Sequence, residues 1–68
     1  RISVKSSNIN SIGYDEKGRI LEIEFHNGGI YQYLNINKEE YNKLMSASSK
    51  GSLFHRFIKD KYPTKKVR

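Results

Sequence analysis

The chain contains no cysteine and no tryptophan, and only one proline and one methionine among its 68 residues. Without cysteine there is neither a disulfide staple nor a thiolate metal site, although a chain this short buries only about 60% of the surface its unfolded form exposes. A cysteine-free chain suits a reducing cytoplasm, which is the compartment expected. No apolar run approaches the ~18 residues of a membrane span, and no signal-peptide pattern is present. The first residue is Arg1 rather than methionine, as in a domain cut from something longer. Five tyrosines and three phenylalanines must supply the aromatic packing that tryptophan does not. At 35% hydrophobic, the composition is lean but above that of disordered segments, and a single folded domain is expected.

Acidic residues are scarce in one region only. Residues 1–49 carry six cations against six anions, whereas residues 50–68 carry seven cations against Asp60 alone. The formal net charge of +6 therefore belongs to the last 19 residues. Such an asymmetry draws anions, and nucleic acid is the commonest polyanion. A solvated basic helix and tail that aid solubility would show the same charge.

What is present reads first as antiparallel sheet. In "NINSIGYD" (Asn8 to Asp15), the apolar residues change phase between Ile9 and Ile12, which a bulge in the Ser11–Gly13 region would absorb. "EKG" is a turn, with Gly18 available for positive φ. "RILEIEFH" then alternates, with Leu21, Ile23 and Phe25 on one face and Glu22, Glu24 and His26 on the other. "NGG" is a hairpin turn, and "IYQYLNI" supplies the next strand. "ISVKSS" (Ile2 to Ser7) is the candidate for an extra N-terminal edge strand.

After Ile36 the period changes. Asn37 and Glu40 have capping-box spacing, and Tyr41, Leu44, Met45 and Ser48 follow on one helical face. That helix closes near Gly51. A second starts at Ser49 or Ser52 and runs to about Lys61, with Leu53, Phe54, Phe57 and Ile58 as its apolar stripe and Ser52, His55, Arg56 and Lys59 on the opposite face. Tyr62-Pro63 stops it. The expected fold is α+β: a small three-stranded antiparallel sheet covered on one face by two C-terminal helices, in one domain over residues 1–62. Residues 63–68 are expected to be a flexible basic tail.

No catalytic constellation accompanies this fold. His26 and His55 are the only histidines, and neither has a nucleophile or orienting acid at a recognisable spacing. Glu22 and Glu24 lack a third ligand and read as solubilising charges. There is no P-loop, GxGxxG or nucleophile elbow. A non-enzyme without metal or cofactor is expected.

"SSKGS" (Ser48 to Ser52) stands apart. Helix-start amides, the hydroxyls of Ser49 and Ser52 and the ammonium of Lys50 can hold an anion at this turn, with Gly51 allowing close approach. Ser at an N-cap and Gly in an interhelical turn also serve any helical hairpin. Arg56 and Lys59 follow on the face of Ser52, His55 suits contact with an anion, and Lys65, Lys66 and Arg68 add basic charge. Tyr62, beside the tail, is placed to stack on a base or to cap the apolar stripe; Tyr14, Tyr31 and Tyr33 read as core rings or as platforms for bases, and so small a core favours packing.

Several motifs together carry a family resemblance. They are Val4, Ser6, Ser7 and Ile9; Gly13, Tyr14 and Asp15; Leu21 and Phe25; Gly28, Tyr31 and Tyr33; Ala47, Ser49, Gly51 and Phe54; and Ile58 with Tyr62. In this pattern the chain resembles the KTSC domain, a small module named for its similarity to the C-terminal region of some lysyl-tRNA synthetases. Asn37 departs from it, standing where the family often has proline. The resemblance implies a stand-alone or appended module of bacterial and phage proteins, with RNA or other nucleic-acid binding the usual suggestion and no catalytic residue supplied. Three readings follow: a nucleic-acid module acting on phosphates, a small phage or bacterial protein docking on another protein through its sheet edge or the Glu22/Glu24/His26 face, and a nucleotide binder using the Ser-Lys-Gly turn.

Overall fold

Strand β3 (Ile20–Phe25) sets the plan of the molecule: its alternation buries Leu21 and Ile23 completely on one face and turns Glu22 and Glu24 to the other. In the computed structural model, which describes all 68 residues, the chain order is β1 (Ile2–Ser3), β2 (Ile9–Asp15), β3, β4 (Ile30–Leu34), α1 (Lys38–Ser46), α2 (Lys50–Phe57) and β5 (Thr64–Lys66). All strand pairs are antiparallel, in the spatial order β1-β2-β3-β4-β5. The register sets Leu21 opposite Tyr14 and Tyr33, and Ile23 opposite Ile12 and Tyr31, so one face is apolar and aromatic throughout.

The α+β class holds, but the sheet has five strands rather than three. The N-terminal edge strand forms, limited to Ile2–Ser3, and the segment expected as a tail supplies the fifth. Three residues are too few to display an alternation, and all of β5 is exposed, so no burial pattern marks it. Its order comes from the backbone. The amide of Leu34 donates to Pro63 (2.9 Å), that of Val67 to Ile30 (2.8 Å), and that of Ile30 to Arg68 (3.2 Å). Proline and lysine at such a strand are what an edge tolerates.

The hinges of the chain also differ in detail. The bulge lies between Ile9 and Ser11, slightly ahead of the expected place. Positive φ falls on Arg19 (54°) rather than Gly18, whose amide instead donates to the Asp15 carboxylate (3.2 Å). Gly28 does take positive φ (93°), in the β3–β4 hairpin. Helix α2 ends a turn early: the amides of Ile58 and Lys59 both return to the Phe54 carbonyl, and Asp60 then turns left-handed at φ 62°.

Both helices lie against the apolar face. A capping box fixes the start of α1, where Asn37 accepts from the Glu40 amide (2.9 Å) and Glu40 accepts from the Asn37 amide (3.3 Å). Leu44 from α1, Phe54 from α2, and Ile58 and Ile36 from the loops join Ile9, Ile12, Leu21, Ile23 and Tyr33 in one core. Asn35, at φ 65°, reverses the phase after β4 and so returns Ile36 to that core. Tyr14 stacks on Tyr41 at 4.6 Å between centroids, and its hydroxyl donates to the Ile36 carbonyl at 2.6 Å. The tyrosine pair thereby ties sheet, loop and α1 together.

Candidate functional site

The interhelical turn faces a second loop that sequence reading alone did not attach to it. Ser49 caps α2, its hydroxyl accepting from the Ser52 amide (3.4 Å), and the Lys50 ammonium donates to the Ala47 carbonyl (3.0 Å). Across from this turn, the Ser6 hydroxyl accepts from the amides of Asn8 (3.3 Å) and Ile9 (3.2 Å), which folds Ser6–Asn8 into a tight bend. His26 pins the same bend: its amide donates to the Asn8 carbonyl (2.9 Å), and its Nε2 lies 2.8 Å from the Ser6 carbonyl. A carbonyl only accepts, so this Nε2 carries the proton. Gly51 lets the two walls approach, because a Cβ there would stand 3.3 Å from the Ser6 hydroxyl.

Between the walls runs a groove of about 510 Å³, lined by ten residues: Lys5, Lys50, five serines, Asn8, Gly51 and His55. No carboxylate and no apolar side chain lines it. Two ammonium groups with hydroxyl and amide donors, undiluted by negative charge, are suited to an anion.

Beside the groove, and sharing Ser7, Asn8, Gly51 and His55 with it, opens a larger cleft of about 630 Å³. Its apolar lining includes four rings: Phe25, Tyr31, Tyr33 and Phe54. Tyr33 and Phe54 meet edge to face at 5.1 Å, and Phe25 packs on Phe54 at 5.6 Å and on Tyr31 at 5.9 Å. His26, Asn27, Lys59 and Asp60 stand among its polar residues. Burial pushes the Tyr33 phenol up to about 12, with Tyr31 and Asp60 adding to the shift. Tyr33 is 5% exposed and lines the cleft, and its hydroxyl has no hydrogen-bond partner within the chain.

Comparison with known proteins bears on what this arrangement is. The family model of the KTSC domain matches residues 5–62. The chain belongs to the KTSC domain family. A crystal structure of a KTSC domain protein from Yersinia pestis superimposes with a TM-score of 0.97 at 46% identity, covering 100% of this chain and 96% of that one. An uncharacterized protein of Stutzerimonas stutzeri is 36% identical over 62 residues, 91% of this chain and 87% of that protein. A lysine–tRNA ligase of Nostoc punctiforme is 36% identical over 58 residues, 85% of this chain but only 10% of the ligase. The KTSC domain thus spans a tenth of such a ligase and most of the smaller relatives.

Most of the motifs that carried the resemblance contribute residues to the core or to these two cavities. Ser6, Ser7, Ser49 and Gly51 line the groove, while Phe25, Tyr31, Tyr33 and Phe54 line the cleft. The Lys5–Asn8 wall was the part that charge and helix patterns did not select. Its signal was the V-x-S-S-x-I motif, which says nothing by itself about where the loop docks.

Of the residues selected from sequence, the KTSC domain brings Ser49, Lys50, Gly51, Ser52 and His55 together in the groove, and Lys59 continues from His55 along the cleft. Lys59 is also 3.7 Å from the Asp60 carboxylate. Arg56 lines neither cavity and sits over the Phe57 ring at 5.7 Å. Tyr62 is half-buried against the core and lines neither cavity. The C-terminal cations separate by strand geometry. Lys65 pairs with Gln32 and so lies on the sheet face away from the helices, whereas Lys66 pairs with Tyr31 on the cleft side. Arg68 is exposed beyond β5, its backbone bonded to Ile30. The cations are not gathered on one side; the groove takes Lys50 from the C-terminal set and Lys5 from the other end of the chain.

The outer sheet face holds a cross-strand network. Arg1 reaches Glu22 at 2.6 Å and the Ser11 hydroxyl at 3.1 Å, Gln32 donates to Glu22 at 3.0 Å, and Ser11 and Asn10 donate to Glu24 at 2.9 and 3.0 Å. Gly13 permits this crossing, since a Cβ there would meet Arg1 Cγ at 2.9 Å. The hydrogen bonds from Gln32 and then Arg1 hold the Glu22 carboxyl below its ordinary range, and those from Ser11 and Asn10 do so for Glu24. These carboxylates join strands, and no cluster of side chains suited to a metal ion includes them.

Proposed function

We propose that this KTSC domain is a non-catalytic, cytoplasmic module that binds nucleic acid, RNA in the first place, by holding phosphate groups in the groove between the Ser6–Asn8 bend and the Ser49–Ser52 turn. The observation that carries this reading is the composition of the groove: Lys5 and Lys50, with serine hydroxyls around them and no carboxylate. Phosphate oxygens accept from such donors, and cations positioned on a backbone release its counterions. His55 on α2 and Lys59 just beyond it continue from the groove into the cleft, where Asp60 stands beside Lys59, and Lys66 is on the same side of the sheet. Similarity to segments of lysine–tRNA ligases, proteins named for acting on an RNA, supports RNA over DNA. Docking on a protein through the outer face is the weaker reading, because Glu22 and Glu24 are already engaged within the sheet.

The test is a titration of labelled RNA at two ionic strengths with the wild type and a Lys5→Glu/Lys50→Glu variant. Wild-type affinity is expected to fall steeply with salt, and the variant to bind weakly with a slope shallower by roughly 1.4, about 0.7 per lost phosphate contact on a single strand. Binding that is flat in salt, or unchanged in the variant, contradicts the reading.

A further inference from the structure

We infer that the aromatic cleft receives an unpaired nucleobase while the phosphate attached to it lies in the groove, so that the domain selects single-stranded over duplex RNA. The inference rests on the phosphate reading above and extends it to the class of strand. The two cavities lie side by side, with Ser7, Asn8, Gly51 and His55 lining both, so the base and the phosphate of one nucleotide have neighbouring places to sit. Their chemistry differs as the two halves of a nucleotide do: cations and hydroxyls in one, rings in the other. At about 630 Å³ the cleft falls within the range of about 300–1,000 Å³ typical of small-ligand sites.

Phe25 and Tyr31 are half-buried, which leaves ring surface accessible in the cleft. Polar groups for the edge of a base stand at the same site. Tyr33, whose hydroxyl has no partner within the chain, lines it, as does His26, whose Nε2 proton is committed to the Ser6 carbonyl, so that Nδ1 is the nitrogen left for another partner. Asp60 brings one carboxylate to the cleft, with Lys59 beside it. In a duplex the bases are stacked and paired, so a phosphate can reach the groove but no base can enter the cleft. Single strands recognised by proteins present splayed bases to aromatic side chains in this way.

Three probes test this in anisotropy titrations: a short labelled RNA strand, the same strand annealed to its complement, and a mononucleotide as competitor. Expected is at least tenfold tighter binding of the single strand than of the duplex. Tyr31→Leu, which keeps apolar bulk, should lower single-strand affinity by about tenfold without changing the salt slope or duplex binding, and Tyr31→Phe should retain it. Single strand and duplex bound equally, both steep in salt and both indifferent to Tyr31→Leu, would overturn the base-in-cleft inference and leave the phosphate groove standing. Absence of salt-dependent binding to either would remove both. A mononucleotide that displaces the strand at comparable concentration would support the cleft occupant but assign it to a free nucleotide, overturning strand selection; failure to compete assigns it to the strand.

Discussion

Gly51 on α2 and Ser6 on the loop before β2 meet so closely that a Cβ on the glycine would stand 3.3 Å from the serine hydroxyl. This contact brings the two walls of the polar groove together, and it joins residues 45 positions apart in the chain. Alanine at position 51, in the first turn of α2, would gain part of the ~1 kcal/mol that it holds over glycine in a helix interior. It would also press on a hydroxyl already held by the amides of Asn8 and Ile9. For Gly51→Ala the two effects should leave stability within about 1 kcal/mol of wild type in urea denaturation, while RNA affinity falls. A loss well beyond that in stability would show that the Ser6 bend cannot give way.

Removing residues 64–68 should destabilise the domain by about 2–4 kcal/mol, since several backbone hydrogen bonds at roughly 1 kcal/mol each are lost with β5. Thermal melts of the truncated chain check this. An unchanged melting temperature would mean that the segment behaves as the tail its composition suggests.

Leu44 is fully buried and is the point at which α1 enters the core. Leu44→Ala should cost about 2–5 kcal/mol, enough to leave much of so small a domain unfolded. Circular dichroism under denaturant measures it; a loss below 1 kcal/mol would place α1 outside the cooperative unit.

Acid should weaken the fold through the outer-face network. Glu22 and Glu24 ionise more readily in the folded state than their ordinary value of 4.5, so their contribution is complete at neutral pH and is lost as pH falls below that value. Denaturation midpoints should therefore decline on acidification, and less so in a Glu22→Gln/Glu24→Gln variant. An equal decline in that variant would locate the acid sensitivity elsewhere.

Alkali acts through Tyr33. Its phenol is pushed up to about 12 from an ordinary 10, so the folded state disfavours the phenolate. The stability this represents is present below pH 10 and is lost as pH rises through the folded value. Near-ultraviolet titration should show a tyrosinate that forms near pH 12 and disappears in Tyr33→Phe; a Tyr33→Phe titration that loses its signal near pH 10 instead would mean that the residue is not buried.

Much of this was legible in the sequence because the signals were local. The β3 alternation, the Asn27–Gly29 turn and the Asn37/Glu40 capping box each act within a few residues and appear where their chemistry requires. The parts that were not legible depend on distant pairing. Strand β5 exists because β4 offers Ile30 and Leu34 backbone groups to it, and nothing within Thr64–Lys66 announces that partner. The same holds for the site. The Ser49–Ser52 turn stood out by its own composition, but its opposite wall is set by the path of the Ser6 bend and its bonds to His26. Helical-wheel reasoning grouped Arg56 with Ser52, and sheet geometry separated Lys65 from Lys66; neither separation from the groove is visible in charge counts.

Amide NMR of the isotope-labelled domain titrated with a short single-stranded RNA tests the central claim most directly. The expected result is a contiguous set of shifts at Ser6, Ser7, Asn8, Ser49, Lys50, Gly51, Ser52 and His55, fading as salt is raised. Shifts confined to Glu22, Gln32 and Lys65 on the opposite sheet face, or none at all, would contradict it.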